Sequence, residues 1–131
     1  EDFIYFLAQI KKKNIKTCIL TNGIKIVQEN KFNNLNISKK IDYFISAREL
    51  GNGIEKPSLE VFQKTIELMG ISEKNLLFIG DNPKTDFESP KLLGSYTARI
   101  LRGIYKDLKD SGNIDFSAKN YNELLRKIWE R

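Results

Sequence analysis

Two aspartates, Asp81 and Asp86, stand five positions apart behind Gly80, at the end of the apolar run Leu76 to Ile79. Two nearby carboxylates can hold a hard divalent cation, and magnesium suits such a pair because it takes oxygen ligands and keeps several of its waters. The same two residues would also serve simply as a turn and helix cap. Further along the chain, Thr21 and Asn22 close another β-prone run, where backbone amides and a hydroxyl could cradle a phosphoryl group. Thr21 read alone is equally an ordinary helix cap. Lys56 precedes Pro57 just ahead of a helical pattern; its ammonium could neutralise charge on a transferring phosphoryl group, or simply be solvated.

The chain has no histidine and a single cysteine, Cys18. Imidazole chemistry, an internal disulfide and a thiolate zinc cage are thereby set aside. Catalysis must rest on carboxylates, lysine or arginine, hydroxyls, the lone thiol, or a metal held by oxygen.

The elements that would position these residues alternate. Phe3, Leu7 and Ile10 recur at helical spacing, with Lys11 to Lys13 in the last turn, so a helix is predicted to end near Asn14. Lys16 to Leu20 reads as a strand leading through Thr21, Asn22 and Gly23 into a helical pattern at Ile24, Val27 and Phe32. Tyr43 to Ala47 is a second strand, followed by a loop containing Gly51 and Gly53. Pro57 and Ser58 open a helix whose apolar face, Leu59, Phe62, Ile66 and Met69, runs to Gly70. Leu76 to Ile79 has the character of a strand buried on both faces, central or nearly so in a parallel sheet. Asp86 to Leu93 reads as a short helix in which Pro90 either sits in the first turn or breaks it, and Tyr96 to Leu101 as a further strand. A brief extended piece around Ile114 and Phe116 precedes a helix opened by Asn120 and Glu123, a capping-box pattern. Strand and helix in alternation imply an open, doubly wound, Rossmann-like parallel sheet, with ligands bound beyond the carboxyl ends of its strands. Thr21, Asn22, Lys56, Asp81 and Asp86 all fall on that edge.

At 131 residues the chain is long enough for one core, and 1–131 reads as a single domain. Hydrophobic residues at 40% and charged residues at 30% fit a chain that folds in water. No apolar stretch approaches the roughly 18 residues of a membrane span and no signal sequence opens the chain, so a cytoplasmic protein is expected. The net charge of +5 is spread over helix faces without an aromatic and basic platform, which argues against a nucleic-acid partner.

Taken together, Leu20-Thr21-Asn22-Gly23, Lys56-Pro57 and Gly80-Asp81-Asn82-Pro83-Lys84-Thr85-Asp86 resemble, in order and spacing, three of the four motifs of the haloacid dehalogenase-like superfamily. The similarity runs over nearly the whole chain, and Arg99 to Tyr105 also resembles the segment after the last main strand. The resemblance implies that Thr21 hydrogen-bonds phosphoryl oxygens, with Asn22 adding an amide contact. Lys56 would stabilise the nucleophile and developing charge, Asp81 would help bind Mg2+, and Asp86 would support the metal and its waters. Ser89 and Pro90 depart from the small residues usual after the second aspartate.

The superfamily's first motif, a strand ending in Asp-x-Asp that supplies nucleophile and general acid, has no counterpart here. Asp42 precedes a strand and so faces the wrong edge, while Asp2 opens a helix; neither is a substitute. By resemblance the absent strand would lie between those ending at Thr21 and Asp81, its loss would split the core, and the chain alone would be unstable and inactive. A preceding segment of the same polypeptide, with a substrate-selecting cap, is therefore expected as a partner. Three functions remain open from sequence: the core of a magnesium-dependent phosphomonoesterase acting on a small phosphorylated substrate, a non-catalytic or regulatory module of the same fold fused to or partnered with another enzyme, and an unrelated doubly wound binding domain.

Overall fold

A computed structural model describes residues 2–22, 40–50, 56, 58–110 and 112–129. The expected helix from Ile24 to Phe32, the loop glycines Gly51 and Gly53, and Pro57 lie outside the described residues. Among the described residues there are five strands: β1 Cys18–Thr21, β2 Tyr43–Ser46, β3 Leu77–Gly80, β4 Tyr96–Ile100 and β5 Phe116–Ala118. Four α-helices accompany them among these residues: α1 Asp2–Lys12, α2 Leu59–Met69, α3 Glu88–Leu92 and α4 Tyr121–Trp129.

All strand pairing is parallel. Among the described residues the strands form two sheets, one ordered β1-β2 and the other β3-β4-β5. In the first, Thr21 pairs with Ser46; in the second, Gly80 pairs with Arg99. Alternation along β3 and β4 sends side chains to two separate cores, as a doubly wound sheet requires. On one face Leu77, Ile79, Ala98, Ile100 and Ala118 pack with Phe6 and Ile10 of α1 and Leu124 of α4. On the other, Phe78 and Leu20 pack with Val61 and Phe62 of α2, and the Phe62 and Phe78 rings meet edge to face at 5.4 Å.

The helix ends follow the sequence signals with small differences. The Gly70 N–H bonds back to Ile66 and Glu67, closing α2. Asn120 caps the Glu123 N–H at 2.8 Å, but Glu123 reaches back to the Lys119 N–H rather than to that of Asn120, so the box is displaced by one residue. The clearer correction concerns β3. It was expected to be buried and central or nearly so; all four residues are half-buried, and among the described strands β3 is an edge, on the side where the absent strand was expected. The buried strand is its neighbour β4, in which Thr97, Ala98, Arg99 and Ile100 are all buried. The side of β3 away from β4 opens on a cavity of about 670 Å³, whose opposite wall is Cys18, Ile19 and Leu20 of β1. No described helix is long and apolar enough to cross a membrane.

Candidate functional site

The carboxyl ends of β1 and β3 flank the same cavity, and their loops meet across its rim. Thr21 is the last residue of β1, and Asn22 follows it. The Asn22 side chain binds the Lys56 backbone at both ends: its Oδ1 accepts from the Lys56 N–H at 2.8 Å, and its Nδ2 donates to the Lys56 carbonyl at 3.3 Å. Asn22 thus fixes the segment that carries the lysine.

Lys56 turns its ammonium toward β3, placing Nζ 3.0 Å from Asp86 Oδ1. Asp86 is buried and collects three further donors. The Thr85 hydroxyl donates to Oδ1 at 3.0 Å, while the Asp81 and Asn82 N–H groups donate to Oδ2 at 3.2 and 3.0 Å. An ionised carboxylate offers about four lone-pair sites, so Asp86 is saturated by the protein itself. The local chain folds this way because Asn82 starts a tight turn: its carbonyl accepts from Thr85 and Asp86, and its Oδ1 accepts from the Lys84 N–H at 3.0 Å. Gly80 permits the turn to close. A methyl group built on it would stand 2.4 Å from Asp86 Oδ2 and 2.7 Å from Asp86 Cβ.

Asp81, by contrast, is exposed, and among the described residues no donor hydrogen-bonds its carboxylate. On the loop after β4, a methyl group built on Gly103 would stand 3.4 Å from Asp81 Oδ2. No group of three or more His, Cys, Asp or Glu residues able to cage a metal occurs among the described residues. The donor set is instead one free carboxylate at a sheet edge, and this fits a cation such as Mg2+ that binds through one or two protein carboxylates and completes its shell with water and substrate oxygens. In this arrangement Asp81 has the open carboxylate, and Asp86 organises the loop that presents it.

The two other aspartates considered from sequence are engaged elsewhere. Asp42 accepts the Thr17 N–H at 2.8 Å, at the amino ends of β1 and β2. Asp2 takes both terminal nitrogens of Arg102, at 3.1 and 2.6 Å, and the Tyr121 N–H at 2.8 Å. Arg102 beside it holds the Asp2 carboxyl down at about 2. Burial pushes the Tyr121 phenol, in the cavity wall, up to about 12 and does the same to the Cys18 thiol, so neither group ionises near neutrality. Sequence reading missed Thr85, Gly103 and Arg99. Thr85 sits inside the recognised motif, and Arg99 is a charged residue in an otherwise apolar strand, a pattern that signals a buried ion pair.

A sequence profile described as haloacid dehalogenase-like hydrolase matches residues 1–94. The glyceraldehyde 3-phosphate phosphatase of Methanocaldococcus jannaschii is 34% identical over 119 residues, 91% of this chain and 51% of the relative. The phosphoglycolate phosphatase of Aquifex aeolicus is 28% identical over 122 residues, 93% of this chain and 55% of the relative. Among solved structures, a HAD phosphatase from Thermococcus onnurineus superposes with a TM-score of 0.84 at 25% identity, covering 97% of this chain and 56% of that one. The chain thus spans about half the length of the proteins it matches.

Proposed function

The chain belongs to the haloacid dehalogenase-like hydrolases, and from that premise we propose that it forms the core of a magnesium-dependent phosphomonoesterase whose nucleophilic aspartate is carried by a segment outside this chain. Membership in the family removes the unrelated binding domain from consideration. The observation that carries the proposal is the bridge from Lys56 to Asp86, which joins the strand-end loops on either side of the cavity and leaves Asp81 open beside it.

In this reading residues 1–131 are one core domain, and the cavity between β1 and β3 receives the nucleophile strand. Both its walls are parallel strand edges, and an extended segment between them would hydrogen-bond on each side. The phosphoryl group of a small phosphorylated substrate sits over the carboxyl ends of β1 and β3. Thr21 binds its oxygens, and Asn22 acts through its hold on Lys56. The Lys56 ammonium stabilises negative charge on the nucleophile and on the transferring group. Asp81 would hold Mg2+, which would supply charge neutralisation at the phosphoryl oxygens. The incoming carboxylate oxygen forms a bond to phosphorus as the ester oxygen leaves with a proton from the second aspartate; water then cleaves the aspartyl-phosphate to release phosphate.

Relatives named for glyceraldehyde 3-phosphate and phosphoglycolate support a small, anionic phosphomonoester as the substrate class. The test is phosphate release by the full-length polypeptide from a panel of such esters, with Mg2+ and with chelator. Release that requires Mg2+ supports the proposal; release from none of the panel, by folded protein, contradicts it.

A further inference from the structure

Arg99 is an arginine in the buried strand β4, only 1% exposed, and sits in register beside Gly80, the residue that leads into Asp81. A guanidinium removed from water at such a position destabilises the fold unless each charge-bearing edge is engaged. Two of its nitrogens are. Nη1 donates to Asp110 Oδ1, and Nη2 donates to the Tyr105 carbonyl at 2.8 Å. Asp110 is itself held by the Ser117 hydroxyl of β5 at 3.2 Å. Both contacts land on the segment that leaves β4 and folds back over the carboxyl ends of the second sheet.

That segment ends against the candidate cation ligand. It begins with the turn Gly103–Tyr105, and Gly103 takes φ 78, a left-handed conformation that places its backbone beside the Asp81 carboxylate. The Arg99 contact to the Tyr105 carbonyl fixes the far end of this same turn. Arg99 thus holds one end of the turn through the Tyr105 carbonyl, and Gly103 at the other end stands close to Asp81, where a built methyl would lie 3.4 Å from Oδ2.

We propose that Arg99 is a positioning residue for Asp81: by clamping the 103–110 segment it holds the Gly103 backbone as a wall that limits where the Asp81 carboxylate can point. This rests on the reading of Asp81 as the cation ligand. A lysine cannot replace it, because one ammonium cannot reproduce the two divergent contacts that the planar fork makes.

The experiment is calorimetric titration of MgCl2 into the full-length protein without substrate, paired with titration of inorganic phosphate in the absence of metal. Wild type is compared with Asp81→Asn, Arg99→Lys, Asp110→Asn and Gly103→Ala. Asp81→Asn is expected to abolish Mg2+ binding. Arg99→Lys, Asp110→Asn and Gly103→Ala are expected to weaken it by roughly tenfold, the scale on which outer partners of a metal ligand act, with phosphate affinity unchanged. Asp110 is half-exposed, so its variant keeps the test in force if Arg99→Lys fails to fold. Wild-type Mg2+ affinity in Asp110→Asn and Gly103→Ala, with binding lost in Asp81→Asn, overturns the positioning role alone. A parallel fall in both affinities also overturns it, marking Arg99 as merely structural. Undiminished binding by Asp81→Asn overturns the ligand assignment and the positioning role together.

Discussion

Lys56 Nζ lies 3.0 Å from Asp86 Oδ1, across thirty residues of sequence and across the mouth of the cavity between β1 and β3. One partner precedes α2, and the other follows β3. Each is fixed from behind: Lys56 by the Asn22 side chain on its backbone, Asp86 by the Asp81 and Asn82 amides. The pair is thus a joint between two strand-end loops whose strands share no described hydrogen-bond ladder.

Asp86 and Asp81 are expected to respond differently to substitution. Asp86→Ala strands the Lys56 ammonium and two backbone donors, and is expected to cost about 3 kcal/mol in urea denaturation. Asp81→Asn touches no described hydrogen bond and should stay within about 0.5 kcal/mol of wild type. Both should abolish phosphatase turnover. Equal destabilisation by the two would contradict the division of labour between them.

Gly80→Ala inserts a methyl group into space held by the Asp86 carboxylate, 2.4 Å from Oδ2. The obstruction includes Asp86 Cβ as well as the carboxylate tip, so rotating the side chain does not clear it. A loss of roughly 2 kcal/mol is expected, together with a fall in turnover because the displaced carboxylate releases Lys56. Denaturant midpoints and initial rates measured on one preparation would check both.

Asn22→Ala removes both anchors of the Lys56 backbone while leaving the Lys56 ammonium intact. Stability should fall by about 1 kcal/mol, and kcat by roughly tenfold to a hundredfold as the ammonium loses its fixed position. Asn22→Asp keeps the acceptor for the Lys56 N–H and is expected to fall between the two. An alanine variant with wild-type kcat would remove Asn22 from the site.

The Asp2 and Arg102 pair supplies a pH signature. Arg102 lowers the Asp2 pKa from 3.8 to about 2 in the folded chain. Its stabilising contribution is therefore complete above about pH 4 and is lost as pH falls through about 2. Arg102 is 48% exposed, so solvent screening limits the gain to about 1 kcal/mol. The stability difference between wild type and Asp2→Asn should be constant from pH 5 to 7 and shrink toward zero as pH falls through about 2. A difference that keeps its neutral-pH size at pH 2 would mean the contribution is not electrostatic.

Most elements were legible because the chain is punctuated clearly. The runs at Lys16 to Leu20, Tyr43 to Ala47 and Leu76 to Ile79 end at Thr21, Arg48 and Gly80, and the strands form there to within about two residues. The helix from Leu59 to Met69 was fixed by its apolar spacing and by Gly70. The rank of β3 within its sheet was not legible, because four apolar residues in a row signal burial without saying which strand lies beside them. The site was legible as a set of positions on one edge. The hydrogen-bond partners of Asn22 and Asp86 were not, since each depends on Lys56 arriving from a distant part of the chain, 34 and 30 residues away. Arg99 and Gly103 escaped for the same reason: only the fold brings the segment after β4 against Asp81.

The central claim is that this edge of the sheet hydrolyses phosphomonoesters with a cation on Asp81. Its most direct test is the rate of p-nitrophenyl phosphate hydrolysis by the full-length protein across a Mg2+ titration, beside folded Asp81→Asn. Saturable, Mg2+-dependent turnover that the substitution abolishes is the expected result. Turnover indifferent to Mg2+, or undiminished in Asp81→Asn, would contradict it.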